Sequence, residues 1–256
     1  MYRHIPSTKS AFDLMVGSAM FIVLLPFLLV FGAAIALTDG RPVFYVSRRR
    51  LNAGPPEPIS KFRTMRRDAD VIANRDTIPV RGVRFLNLPI TSPLYTRIGR
   101  IVERLMLTEM PQLVDVLRGR MSIIGNRPLP ESVVASLKEE FAHVEDRFLA
   151  PCGLTGPVQL IGRDFLSDAD RLKIETAYCH AVRHAYSVAL DAKILAYTIL
   201  GALSQRFRFT QAEVLALLDP HGGLGNTATR TRRQPVLPAH AAGPDEGRLS
   251  HEAHSR

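Results

Sequence analysis

The sequence predicts an α+β protein. A kinked N-terminal membrane helix, re-entrant or spanning, precedes a small cytoplasmic domain that is mostly helical, with short strands and membrane-surface amphipathic helices. Three observations predict this. Leu14–Leu37 is a run of 24 residues without a charge, basic residues flank both of its ends, and the chain beyond alternates proline-rich turns with segments of strand and helix period.

At about 1.5 Å per residue the uncharged run reaches across a hydrocarbon core of roughly 30 Å. A cleaved signal peptide needs a shorter apolar core and a small-residue cleavage site, which "GAAIALTDG" mimics weakly. A buried helix of a soluble protein is a poor fit to so long an uncharged stretch. Pro26, near the centre, removes a backbone donor and clashes with the preceding turn, so a kink is expected there. Arg3 and Lys9 lie on one side of the run; Arg41, Arg48, Arg49, Arg50, Lys61 and Arg63 lie on the other. Positive charge prefers the cytoplasmic face. A helix that dips in and returns at Pro26 puts both ends there, and a spanning helix still puts the larger basic cluster there. Residues 1–10 are then a cytoplasmic N-terminus and residues 11–37 the membrane helix.

"RPVFYVSRRR" reads as a strand, "NAGPPEP" as a turn and "KFRTM" as a second extended piece. The stretch from about residue 71 to 95 is proline-punctuated and reads as a surface excursion. "TRIGRIVERLML" has helical period, with Ile98, Ile101, Val102 and Leu105 on one face. "PQLVDVLRG" is a short helix with Pro111 in its first turn and Gly119 as its C-cap. Residues 131–149 read as one amphipathic helix and "PCGLTGPVQLIGR" as a glycine-rich turn region. Helices follow at about 168–186 and 188–205; the second carries Asp191 and Lys193 and so belongs in the core or along the membrane surface. A short helix near "TQAEVLALLD" and a polar tail from Pro220 complete the chain, so residues 206–256 read as a mostly disordered extension.

Composition narrows the partners. Hydrophobic residues are 46% of the 256, enough for a core, and 33 Lys and Arg against 24 Asp and Glu give +9. That balance asks for a polyanion: nucleic acid, anionic lipid or a phosphorylated substrate. Nucleic acid is the weakest of the three, because the charge borders a membrane helix and no recognition motif accompanies it. Cys152 and Cys179 make no disulfide framework and fit a reducing compartment.

Five constellations are candidates for chemistry. Arg48–Arg50 reads as a solvated flank attracted to anionic lipid. Lys61 and Arg63 alternate with Phe62 and Thr64, so two cations share one face of a strand, as a phosphate would require. Arg127, between a glycine turn and Pro128, offers a rigid planar fork for a phosphate, or a partner for Glu109. Glu109 precedes Pro111 by two, where a helix-start acid is stabilised, and Thr108 beside it reads equally as an N-cap. His180 and His184 are four apart on a helix beside Cys179, with no second Cys/His pair to complete a zinc site.

These residues in this order resemble the bacterial sugar transferase family, the monotopic polyprenyl-phosphate phosphoglycosyl transferases. "KSAFDLMVGSAMFIVLLPFLLV", "GRPVFYVSRRRL", "KFRTM", "TRIGR", "LTEMPQLVDVLRGRMSIIGNRPLP", "CGLTGPVQLIGR" and "SVALDAKILAYTI" carry the resemblance, from about Ser10 to about Ser204. It implies that residues 38–205 are a catalytic domain at the bacterial inner (cytoplasmic) membrane, facing the cytoplasm. The implied reaction transfers a sugar 1-phosphate from a nucleotide diphosphosugar to undecaprenyl phosphate, with Mg2+, to initiate exopolysaccharide or glycoconjugate assembly. The family's Asp-Glu pair supplies a nucleophile and a metal-holding acid. Carried over, the catalytic pair is Thr108 and Glu109, Glu109 holds the metal, and Lys61, Arg63 and Arg127 bind substrate phosphate. Membrane lipids are further partners, and homo-oligomerisation is left open. The chain departs from the pattern at three positions: the family's aspartate is Thr108, an arginine is Glu103, and a proline is Asn126. Two expectations follow, an active transferase or a catalytically silent homologue that scaffolds one.

Overall fold

The computed structural model describes residues 5–72, 88–162, 166–204 and 207–219. The stretch 73–87, Arg163 and the tail from residue 220 on, which carry part of the surface excursion and most of the C-terminal extension expected above, lie outside the described residues.

The fold mixes helix and sheet. Helix α1 (Ser7–Thr38) leads into an antiparallel hairpin of β1 (Phe44–Arg49) and β2 (Glu57–Phe62). There follow α2 (Ala69–Ile72), α3 (Arg97–Arg104), a 3₁₀ turn (Met110–Gln112) and α4 (Leu113–Leu117). Strand β3 (Ser122–Ile124) pairs in parallel with β4 (Gly153–Thr155), and α5 (Glu131–Lys138) and a second 3₁₀ turn (Val144–Phe148) lie between them in the chain. Helices α6 (Pro157–Ile161), α7 (Asp168–His184), α8 (Val188–Leu203) and α9 (Gln211–Leu218) close the described chain.

Helix α1 is long and apolar enough to cross a membrane, and only 6% of its most apolar window is buried in protein. That exposure removes the soluble-core reading, since a core helix would hide those side chains. The helix begins earlier than the uncharged run because Lys9 and Asp13 are taken into the domain rather than left in water. Its two halves meet different parts of one body. Near the start, Gly17 lets α4 approach: a Cβ there would lie 3.1 Å from Val116 Cγ1. Near the end, Ile35 is buried with Phe62 and Val102, and Leu28, Phe31 and Val43 pack around them. The main core gathers Leu113, Ile123, Ile124, Val134, Phe148, Ile174, Tyr178 and Ile194.

The helix start is fastened by buried charge. Lys9 is fully buried, and its Nζ donates to Asp191 Oδ2 (2.7 Å), the Ile124 carbonyl (3.0 Å) and Tyr178 (3.2 Å). Tyr186 donates to the same Asp191 oxygen at 3.0 Å. Asp13, one turn on, accepts from the Ile123 amide at 2.9 Å and from Ser122 at 2.8 Å. An ammonium can stay buried only with this many oxygens around it. Asp191 is therefore a core anchor of α8, whose other face (Val188, Ala192, Ile199, Leu200) is exposed and mostly apolar.

Four sequence expectations change. The amphipathic stretch 131–149 is two pieces, because the turn after Lys138 lets Arg147 and Phe148 drop into the core. The "turn region" at 151–163 contains β4 and α6; its glycines permit close strand pairing rather than a loop. The triplet Arg48–Arg50 is not one solvated flank: Arg50 is buried, pairs with Glu145 at 2.7 Å and lies over the Phe148 ring. The apolar face of α3 splits, with Val102 buried while Ile101 and Leu105 face outward. Gly119, at φ 69°, ends α4 as expected from its position.

Removing one partner of the Lys9–Asp191 pair should cost about 3–5 kcal/mol, because the survivor is a buried unpaired charge. Lys9→Met should therefore lower the unfolding midpoint in detergent sharply, while Lys9→Met with Asp191→Leu should recover most of it. A single variant as stable as wild type, read by urea titration, would remove the pair as the anchor.

Candidate active site

The ends of β2, α3 and β3 converge on one place. Hairpin register sets Tyr45 directly opposite Lys61, so Tyr45, Ser47, Arg49 and Lys61 share a face. Lys61 Nζ lies 5.2 Å from the Tyr45 ring centroid. The Phe62 amide donates to the Thr108 carbonyl at 2.9 Å, which stitches β2 to the segment that carries the acids.

That segment is positioned by the way α3 ends. The Leu107 amide donates to the Val102 carbonyl and the Met106 amide to the Glu103 carbonyl, both at 3.0 Å, with Met106 at φ 58°. This is a Schellman end with methionine where glycine is usual, and Leu107 packs onto Val102 as such ends prefer. A non-glycine residue in that region carries strain on the order of 1–2 kcal/mol. The reversal brings Thr108 back over α3, and its Oγ donates to Glu103 Oε2 at 2.6 Å. Thr108 is therefore no N-cap: the residue at the cap of the following 3₁₀ turn is Glu109, and no side chain caps it.

Glu109 is held from the other side. Arg127 Nη2 and Nη1 donate to its two carboxylate oxygens at 2.6 and 3.1 Å, and each side chain is 31% exposed. Arg127 leaves the end of β3 on a backbone fixed from below. Buried Arg147 donates to the Arg127 carbonyl at 3.0 Å and pairs with Glu175 through two bonds of 2.7 and 2.8 Å. Asn126 is buried and donates to the carbonyls of Arg147 and Glu175.

The cations feel one another. Burial pulls the Lys61 ammonium below the usual lysine range, Arg49 and Arg127 push the same way, and Glu109 and Glu103 oppose them. Burial, then Arg127, also lowers Arg49. Two or three cations desolvated around one carboxylate pair are a standing demand for more negative charge. The structure thus brings together Lys61, Thr108, Glu109 and Arg127. Arg63 goes elsewhere: it is buried, and its Nη2 donates to the carbonyls of Asp39 and Gly40, where it caps the end of α1. Two positions are added, Arg49 and Glu103. Strand alternation from Tyr45 places Arg49 on the Lys61 face, whereas nothing local foretells that Glu103 meets Thr108 across the turn.

A basic cleft of about 610 Å³ adjoins this centre, lined by Thr38, Asp39, Arg66, Tyr95, Thr96, Arg97, Ile98 and Arg100. Burial, then the charge of Glu103, raises the Tyr95 hydroxyl, so this wall of the cleft lies in the field of the acid centre. Exposed Ile101, Leu105 and Met106 flank the acids on the other side.

Among the described residues no group of three or more His, Cys, Asp or Glu side chains could hold a metal ion. His180 and His184 stack on each other at 5.9 Å, and burial pushes the thiols of Cys152 and Cys179 up to about 12. Magnesium asks for less: one or two carboxylates, with waters and substrate phosphates supplying the rest. Glu109 and Glu103, with the Thr108 hydroxyl, are hard oxygen donors of that kind.

The family described as bacterial sugar transferase matches residues 4–205. The exopolysaccharide production protein ExoY of Rhizobium meliloti is 33% identical over 177 residues, 66% of this chain and 76% of its own. The undecaprenyl-phosphate glucose phosphotransferase of Komagataeibacter xylinus is 33% identical over 206 residues, 78% of this chain and 37% of its own. The UDP-glucose:undecaprenyl-phosphate glucose-1-phosphate transferase of Klebsiella pneumoniae is 27% identical over 188 residues, 73% of this chain and 38% of its own.

The electrostatics make a signed prediction. Glu109→Gln removes a charge that favours protonated Lys61, so the pH profile of Lys61 acylation by an amine reagent should move to lower pH. Arg127→Gln removes a like charge and should move it to higher pH. Shifts of the opposite sign, read by peptide mass mapping, would mean that Lys61 does not share the field of the pair.

Proposed function

We propose a function from one premise: the chain belongs to the bacterial sugar transferase family. Members of that family are sugar-phosphate transferases, and relatives of this chain carry the names of undecaprenyl-phosphate sugar phosphotransferases and exopolysaccharide production proteins. The reading is transfer of a sugar 1-phosphate from a nucleotide diphosphosugar to undecaprenyl phosphate, initiating exopolysaccharide or other glycoconjugate assembly, with release of nucleoside monophosphate.

One observation carries it: Lys61, Arg49 and Arg127, partly desolvated, meet the Thr108–Glu109 segment beside an apolar helix and an apolar rim. A diphosphate brings the negative charge that those cations lack, and the transition state of phosphoryl transfer spreads more of it over the equatorial oxygens. Arg127 offers a planar fork for a phosphate once Glu109 is turned to another partner. The basic cleft has room for a nucleotide, with Arg66, Arg97 and Arg100 on its walls. Glu109 would hold Mg2+, which when bound neutralises phosphate charge and draws electron density from the bond that breaks. Ile101, Leu105, Met106 and the outer face of α8 would rest in the lipid interface, where the acceptor's phosphate lies.

The same premises favour a re-entrant α1 bent at Pro26, at the cytoplasmic face of the bacterial inner membrane. Both halves of the helix pack on the same domain, through Met20, Phe21 and Leu24 in one and Leu28, Phe31 and Ile35 in the other, while the opposite face (Ile22, Val23, Leu29, Val30) stays uncovered. A silent, scaffolding role is the second reading. Its support is the bidentate grip of Arg127 on Glu109, which leaves the acid already neutralised.

Two measurements test these readings. Membranes or detergent-purified protein with undecaprenyl phosphate, magnesium and a panel of nucleotide sugars should release nucleoside monophosphate. Glu109→Gln should cut that release by about 10² to 10⁴, and Arg127→Lys should slow it although charge is kept. No release with any donor would favour the scaffold, and full activity in Glu109→Gln would end the assignment of this site. For topology, Ile5→Cys and Arg41→Cys should both label from the cytoplasmic side, since the native thiols are buried. Labels on opposite faces would mean a spanning helix.

A further inference from the structure

The transferase reading leaves one side chain unexplained. Thr108 stands at the position implied for a carboxylate nucleophile, and a hydroxyl attacks phosphorus poorly unless a base takes its proton. Its hydroxyl donates to Glu103 at 2.6 Å, within the range for an O–H donor on an ionised carboxylate. Glu109 is the less suited neighbour, because both of its oxygens already accept from Arg127. We propose that Thr108 is the nucleophile of this transferase and that Glu103 is the general base that serves it, a proposal that rests on the transferase reading above.

The geometry of the fold is arranged for this pair. The Schellman end of α3, held by Leu107 on Val102, is what folds residue 108 back over residue 103. A β-branched side chain has few rotamers, and the Thr108 carbonyl is pinned by the Phe62 amide, so the hydroxyl has a defined direction. Lys61 lies in the field of both Glu103 and Glu109 and can steady the phosphoryl oxygens between them. A carboxylate that accepts a hydroxyl proton during phosphoryl transfer has good chemical precedent in kinases.

The steps balance. Thr108 Oγ attacks the phosphorus next to the sugar, an Oγ–P bond forms, and the bond from that phosphorus to the bridging oxygen breaks. The bridging oxygen leaves with its electron pair as part of the nucleoside monophosphate, and the hydroxyl proton goes to Glu103. The product is a threonyl phosphodiester bearing the sugar. The acceptor lipid's phosphate oxygen then attacks the same phosphorus, the Oγ–P bond breaks, and Glu103 returns its proton to Oγ. An acid at position 103, where the family has an arginine, beside a hydroxyl at 108, where it has an aspartate, is then a relocation of the carboxylate, not its loss.

The test omits the acceptor. Full-length protein in detergent, with magnesium and UDP-glucose or whichever donor the release assay selects, is quenched and weighed intact. The expected result is one sugar phosphate added per chain, mapped to Thr108 and stable to neutral hydroxylamine, which strips acyl phosphates. Thr108→Val should abolish the adduct and turnover, and Thr108→Ser should restore both in part. Glu103→Gln should slow adduct formation by about 10² to 10⁴ with little change in donor KM, and added formate should partly rescue Glu103→Ala, which a structural role would not allow. Turnover in wild type with no adduct, an adduct on Glu109 or Glu103 that hydroxylamine removes, or wild-type turnover in Thr108→Val would overturn the proposal and leave the transferase reading standing. Absence of release from wild type with every donor would overturn both.

Discussion

A buried ammonium governs this fold. Lys9 is surrounded by Asp191, Tyr178 and the Ile124 carbonyl, and Asp13 lies 3.8 Å away. Those partners come from α8, α7, β3 and α1 itself, so one charge ties four elements together. Hydrophobic packing could not do this alone, because it lacks direction; a hydrogen-bonded charge pair out of water has both direction and a heavy penalty for slippage. The consequence is that a helix with an apolar, uncovered flank is clamped to a polar domain at a set height and rotation.

From β3 the constraint passes to the site. Ile124 lies three residues before Arg127, and Asn126, Arg147 and Glu175 lock the intervening backbone. The chain's many arginines are thereby sorted by burial. Arg50, Arg63 and Arg147 are spent inside, each on carboxylates or carbonyls that leave little capacity for a ligand. Lys61, Arg49 and Arg127 are only partly buried and repel one another, with Arg127 balanced by Glu109, an arrangement that supports the phosphate-binding role proposed for them.

The acid side follows a different logic. Met106 sits in a left-handed conformation that an exposed methionine would not choose, and the strain is offset as the partly buried Leu107 packs against the cluster of Ile35, Phe62 and Val102. What the strain achieves is contact between positions five apart in sequence, Glu103 and Thr108, at the edge of an apolar rim. An acid centre, a basic cleft and exposed apolar side chains together suit the proposed chemistry to a surface, where a water-soluble donor and a lipid phosphate can meet.

Much of this was legible in the residues. The uncharged run gave the long apolar helix, period and turn chemistry gave β1, α3, α4, α7, α8 and α9 near their limits, and ordered motifs gave the family; the local pattern puts β2 late, at 61–65, because Pro58 and its neighbours read as turn. Strand alternation also contained Arg49. Local patterns failed where the core overrode them: Arg147 and Phe148 drop inward and break the amphipathic stretch, and Arg50 and Arg63, basic and close to a membrane segment, are interior. Sequence by itself determined which segments are apolar, which turn, and which residues can carry charge, because these depend on neighbours within a few positions. Only the tertiary structure decided which of the cations gather around Glu109 and which are used in the interior, and that Thr108 answers to Glu103 rather than to a helix end. Those outcomes depend on desolvation and on contacts between elements far apart in the chain, and neither is written in any local pattern.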